Sequence, residues 1–355
     1  MRNYQSRKQN TFYFYSILFF LLASVPIPVS ADMIKLDSRF VFESPHMGTL
    51  FRITIYSDDS ERAREAADSA FQRVEVLNTI FSDYLPDSEV QLLSNTSGSD
   101  QYIPVSKELY NILSIAQEVS QLTGGAFDVT AGPFTHKWRD VIRQSRSDLP
   151  GKDEISVLSK SVGYEHISFH ETDRAIRLEA PDMQIDLGGI GKGYAAMEIW
   201  KVLQYFGLNQ VLIDAGGDIL TGDSPPGRDH WILALPDNHE NFHQTPKSVK
   251  LVNKAITTSG DLYQYIEFEG VRYSHIVNPE TGLGVTDQNS ATVIGKDATL
   301  TDAFATALNI LPPEFGIAMI NKLAGYEARI HVLTEDGPKF LYSDGFNTFL
   351  FTPGE

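Results

Sequence analysis

Apolar residues alternate with polar ones across residues 40–56, then recur at three- and four-residue spacing from Ala63 to Phe81. The first pattern predicts a strand pair turning near His46-Met47-Gly48; the second predicts a long helix capped by Ser60, with Ala63, Ala67, Ala70, Phe71, Val74, Leu77, Ile80 and Phe81 inward. A polar loop over residues 82–101 follows. Ser106 then starts a second helix that buries Leu109, Ile112, Leu113, Ala116 and Val119 and stops at Gly124-Gly125. Strands are expected around Ile167 and Ile185, a helix over residues 193–206 ended by Gly207, and a buried strand over 211–214. Residues 231–293 read as strands and turns, 300–311 and 314–323 as helices, and 328–333 with 339–342 as a hairpin around Asp336-Gly337. No repeat, low-complexity block or Pro-rich linker divides the chain. The expected fold class is α+β: one unit of antiparallel and mixed sheets with flanking helices, or two interlocked lobes.

The first 31 residues read differently. Arg2, Arg7 and Lys8 precede an apolar run, and Val29-Ser30-Ala31 supplies small residues at a cleavage position, so residues 1–31 are expected to be a secretory signal peptide and 32–355 the functional domain. An uncleaved anchor would leave that domain facing the same compartment, exported and periplasmic, free or held at the inner membrane. With no cysteine, the chain has no disulfide framework, thiolate metal site or lipid-attachment residue. Loss of the leader takes the basic residues from 29 to 26 against 46 acidic ones, and the formal charge from −17 to −20. That balance disfavours nucleic acid and anionic membranes. A phosphate ester would need main-chain donors, one or two basic side chains or a divalent cation.

Several clusters could supply these. Residues 185–197, IDLGGIGKGYAAM, place four glycines at a strand-to-helix corner where main-chain N–H groups can meet an anion, although such corners also serve packing alone. Asp302 and Thr306, four apart on a helix, could both reach one cation of the Mg²⁺ type, or be a solvated carboxylate and a hydroxyl bonded back to its own helix. Asp214-Ala215-Gly216-Gly217-Asp218 could hold a ribose or a metal-bound water, and Thr257-Thr258-Ser259-Gly260-Asp261 could cradle a phosphate; each could equally be a turn. His275, expected on a strand running into Asn278-Pro279, is a candidate general base.

Taken in order, MGT at Met47, FSDYLPDSEVQLLSN at Phe81, TGGAFDVTAGPF at Thr123, IDLGGIGKG at Ile185, DAGGD at Asp214, TTSGD at Thr257, SHIVNPETG at Ser274 and TDAFATAL at Thr301 resemble the ApbE-type FAD:protein FMN transferases. The resemblance implies that FAD is bound with Mg²⁺ or Mn²⁺ and that its FMN half passes to a Ser or Thr hydroxyl of an acceptor protein, releasing AMP. It implies FAD contacts at Met47, Tyr84, Ala126, Phe127, Asp128, Asp186, Lys192, Ser259, His275 and Ile276. It implies metal ligation at Asp302, Thr306 and Gly189, the last through its carbonyl only, and a catalytic base at His275, with Asp261 or Asp218 as rivals. The acceptor pattern, Asp-Gly-x-Ser/Thr-Gly-Ala/Ser-Thr, does not occur in this chain, so the partner is expected to be another protein, a subunit of a membrane redox complex. Two alternatives use the same pocket: an FAD pyrophosphatase releasing FMN to water, and a non-catalytic FAD carrier, which intact Asp302, Thr306 and His275 disfavour.

Overall fold

Strand β1 (Ser38–His46) turns at Met47-Gly48, both at positive φ, into β2 (Thr49–Ser57), and the pair runs in register from Ser38 opposite Ser57 to His46 opposite Thr49. On β2 the alternation places Phe51, Ile53 and Ile55 fully inside. Six further strands complete an eight-stranded sheet: β3 (Val211–Ala215), β4 (Asp218–Thr221), β5 (Lys254–Gly260), β6 (Ser290–Gly295), β7 (Glu327–Thr334) and β8 (Gly337–Tyr342). Their spatial order is their chain order, and every neighbouring pair is antiparallel. This computed structural model describes residues 38–144, 149–236, 247–260, 265–287, 289–334 and 337–352, all within one compact unit. The segment 1–31 and Asp261 lie outside the described residues. Among those described, no helix is long and apolar enough to cross a membrane.

Eight α-helices are described: α1 (Ser60–Phe81), α2 (Glu89–Ser94), α3 (Lys107–Thr123), α4 (Gly132–Gln144), α5 (Lys152–Leu158), α6 (Gly191–Tyr205), α7 (Ala298–Leu308) and α8 (Pro313–Ile320). α6 packs between α1 and α7, and α7 lies on β5 and β6. The main core fills this helix–sheet layer: Ala63, Ala70, Val74 and Leu77 of α1 join Leu109, Ile112 and Leu113 of α3. A smaller cluster, including Ile256, Ile294, Val249 and Phe346, links β5 and β6 to a three-stranded sheet of Trp231–Ala234, Ser248–Leu251 and Leu350–Phe351. The fold is α+β, a large antiparallel sheet with flanking helices, as the pattern predicts.

The local differences have physical causes. Asp59, not Ser60, caps α1, because its carboxylate accepts from the N–H groups of both Glu61 and Arg62. The loop expected over 82–101 contains α2, capped by Ser88. The stretch around Ile185 is not a ladder strand: Ile185 N donates to Ser94 Oγ at 3.2 Å and Asp186 N to Val129 O at 2.8 Å, so its backbone is satisfied by two different segments. α6 begins at Gly191, two residues before the expected start, and α4 and α5 are additions to the expected set. His275 stands at a bend between the short strands Val271–Ser274 and Val277–Asn278 rather than on a strand.

Candidate active site

The glycine corner brings α6 against α7. A Cβ on Gly193 would stand 2.1 Å from Ala298 O and 2.9 Å from Asp302 Cβ, so only a bare backbone lets the two helices approach this closely. The approach is used chemically, because Gly193 N donates to Asp302 Oδ2 at 3.0 Å. One residue earlier, Lys192 reaches Asp218 Oδ2 at 2.6 Å and lies 3.7 Å from Asp302 Oδ1. Burial works against the charge of Lys192, yet Asp218 and then Asp302 outweigh it and hold the ammonium above its usual range. Asp302, 2% exposed, is pushed up to about 7 by burial first and the Asp218 carboxylate second, against the pull of Lys192. The solvated-carboxylate reading of Asp302 is therefore excluded by its burial.

Gly189 completes this end. A Cβ there would meet Thr306 Oγ1 at 3.0 Å and Phe127 Cε2 at 3.3 Å, which places the glycine turn, the α7 hydroxyl and the Phe127 ring side by side. Thr306 thus lies against the Gly189 turn, one helical turn along α7 from Asp302, so that a carboxylate, a hydroxyl and an amide carbonyl come from neighbouring positions. These are hard oxygen donors, which fit a partly hydrated cation of the Mg²⁺ or Mn²⁺ type rather than zinc; among the described residues no group of three or more His, Cys, Asp or Glu could hold a metal ion. Asn309, one turn beyond Thr306, donates from Nδ2 to Ser259 O at 3.1 Å and Ala305 O at 2.7 Å; Thr301 Oγ1 meets Thr257 Oγ1 at 3.2 Å. Thr257 and Ser259 are thereby fastened to the helix that carries Asp302.

A second cluster lies where the 82–88 loop, α4 and Asp186 meet. Asp186 Oδ2 accepts from Thr135 Oγ1 and Arg139 Nη2, both at 2.6 Å, and Oδ1 accepts from Gly188 N at 2.8 Å. Arg139 also binds Asp83, which His136 Nε2 meets at 3.0 Å, and its guanidinium lies 4.7 Å from the centre of the Tyr84 ring. Tyr84 itself is 61% exposed. Phe127 is buried, and Ala126 packs on the core's edge. Asp128 is engaged within the chain: Oδ1 takes Thr130 N and Oγ1 at 2.8 and 2.7 Å, and Oδ2 takes Tyr164 N at 2.9 Å. Its carboxylate shapes the loop that presents Phe127.

Met47, at φ +48°, lines a cavity of about 360 Å³ under the β1–β2 turn together with His46, Thr49, Glu75 and Asn78. A Cβ on Gly216 would sit 2.4 Å from Thr49 Oγ1, so the turn carrying Asp218 abuts this cavity's wall. His275 is exposed, while Ile276 is buried and its N–H donates to Ser274 Oγ at 3.0 Å. Arg139, Thr135 and Asp83 are the residues sequence reasoning passed over. The signal for them was Phe134, Trp138 and Val141, buried at helical spacing along α4.

Fold and site define a class: an α+β frame on which a glycine corner, one lysine and a hard-oxygen pair converge beside the Phe127 ring. Comparison supplies the particular family. Residues 47–330 match the ApbE family, and the chain belongs to it. It is 26% identical over 321 residues to the FAD:protein FMN transferase of Escherichia coli K12, spanning 87% of this chain and 89% of that one. The Vibrio cholerae FAD:protein FMN transferase is 27% identical over 336 residues, 93% of this chain and 98% of its own. Among solved structures, the flavin transferase ApbE from Vibrio cholerae matches with a TM-score of 0.79 at 27% identity, covering 88% of this chain and 99% of that one. The apo flavinyl transferase ApbE of Pseudomonas stutzeri matches at 0.78 and 26%, covering 88% and 97%.

Proposed function

We propose that this chain is an FAD:protein FMN transferase, which moves the FMN half of FAD onto a Ser or Thr hydroxyl of an acceptor protein. The observation that carries the reading is the convergence of Lys192, Asp302, Thr306 and the Gly189 turn at the α6–α7 contact, in a family whose curated relatives bear that activity in their names. The hydroxyl oxygen attacks the phosphorus of the FMN half, the bond to the AMP phosphate breaks, and the hydroxyl proton passes to a base. His275, exposed at its bend, is the residue assigned to take that proton. Lys192 stands to meet phosphate charge, and the N–H groups of the glycine corner to orient it. A divalent cation held by Asp302, Thr306 and the Gly189 carbonyl would neutralise charge developing on the pyrophosphate. Tyr84, Phe127 and Met47 are assigned to FAD's rings, with Ala126, Asp128, Asp186, Ser259 and Ile276 shaping the slot.

The acceptor is read as a subunit of an exported membrane redox complex, and residues 1–31 as the leader that delivers the enzyme to that compartment. The test is to incubate the purified protein with FAD and Mg²⁺, with and without a protein bearing the acceptor pattern, and to follow AMP, free FMN and in-gel flavin fluorescence together. Fluorescence on the acceptor, lost with chelator, supports the transferase. AMP and free FMN at equal rates with no labelled protein would make the chain a pyrophosphatase.

A further inference from the structure

We propose that Arg139 is a positioning residue for FAD: anchored by Asp186 and Asp83, it acts through Tyr84, which it holds as a preformed ring platform. The inference rests on the transferase reading of the same site.

The geometry is specific. Arg139 and Thr135, one turn apart on α4, both donate to Asp186 Oδ2 at 2.6 Å, and the other face of the guanidinium fork binds Asp83. Two carboxylates held on different segments leave the guanidinium plane no rotational freedom. Burial opposes its charge, but Asp186 and Asp83 outweigh this and keep it protonated. The guanidinium carbon lies over the Tyr84 ring, 4.7 Å from its centre, although the tyrosine is 61% exposed. A solvated tyrosine next to a polar loop would otherwise sample several rotamers, and ordering it would weigh against binding. Stacked on a fixed cation, it is ordered before a ligand arrives. The same guanidinium connects to Gly188 N through Asp186 Oδ1 at 2.8 Å, and so to the turn whose next residue, Gly189, abuts Thr306. The anchor that fixes the guanidinium under Tyr84 is therefore itself fastened to the chain's glycine corner.

A lysine cannot do this, because an ammonium has no planar fork to bridge two carboxylates and stack at once. The experiment is a double-mutant cycle read by FAD titration, following quenching of its fluorescence, on the wild-type chain, Arg139→Lys, Tyr84→Ala and the double variant. Arg139→Lys is expected to weaken FAD about tenfold when Tyr84 is present and less than about twofold in the Tyr84→Ala background. Equal losses in both backgrounds would overturn the proposal, since a merely structural role does not depend on Tyr84. Should Arg139→Lys fail to fold, Asp83→Asn, which removes one of the two anchors of the guanidinium, goes through the same cycle with the same criterion. A wild-type chain that binds FAD yet labels no acceptor overturns the transferase reading and leaves this cycle standing; additive losses do the reverse.

Discussion

Asp302 shows how much of a residue's role is decided by what surrounds it. Its spacing from Thr306 fits a solvated helix face as well as a ligand pair, but its carboxyl is buried, bonded to Gly193 N and flanked by Lys192 and Asp218. Asp302→Ala is expected to lower Mg²⁺-dependent AMP release at least about 100-fold, measured against Mg²⁺ concentration with chelator controls. Asp83 makes a different claim at the same scale. Burial alone would raise its pKa, but hydrogen bonds from His136 and Arg139 outweigh it and hold the carboxyl below the usual 3.8. A depressed folded value contributes stability that is present above about 3.8 and lost as pH falls through the folded value. Asp83→Asn is therefore expected to cost about 1–3 kcal/mol at neutral pH and to show a shallower acid limb than wild type. Urea midpoints measured from pH 7 down to 3 check both parts; parallel curves would remove the ion-pair account.

At the scale of elements, the contact between α6 and α7 assembles the site, and Gly193 permits it. A Cβ at that position meets main-chain Ala298 O at 2.1 Å, an atom no rotamer change can move aside. Gly193→Ala should cost about 1–3 kcal/mol in urea unfolding through overpacking, and should depress activity further by lengthening the Asp302 bond. The patterns that were legible are those governed by one periodicity: α1, α3 and α7 declare themselves through three- and four-residue spacing, and β1–β2 through alternation. Less legible are elements whose apolar face is narrow. α4 buries Phe134, Trp138 and Val141 but interleaves them with His136, Lys137 and Arg139, which turn to Asp83, Glu154 and Asp186. Its polar residues face other segments of the chain, so the local pattern gives no element over this stretch. Ile185 errs in the opposite sense: an apolar residue before a glycine corner looks like a strand, but its hydrogen bonds run to Ser94 and its neighbour's to Val129, partners 91 and 57 residues away in sequence.

For the whole molecule, the charge of −17 has to be reconciled with an anionic substrate. Long-range attraction does not draw FAD to such a surface, so on the proposed function its affinity would come from local donors: Lys192, the glycine corner and a divalent cation if one is held there. Lys192 and the glycine corner come from α6 and the segment before it, while on the sheet Asp218 begins β4, Ser259 lies near the end of β5, and His275 falls in the excursion between β5 and β6. Lys192, Asp218 and Ser259 are buried or half-buried there, whereas His275 stands exposed, where a second protein could reach it. This division predicts that binding and transfer separate by mutation. His275→Ala should leave FAD affinity within about twofold while lowering acceptor labelling by about 10²–10⁴-fold, the span expected for a lost general base. FAD titration and in-gel flavin fluorescence on one preparation decide it. Unchanged labelling with normal FAD binding would move the base elsewhere, with Asp261 and Asp218 next to test; a parallel loss of both would make His275 part of the FAD slot.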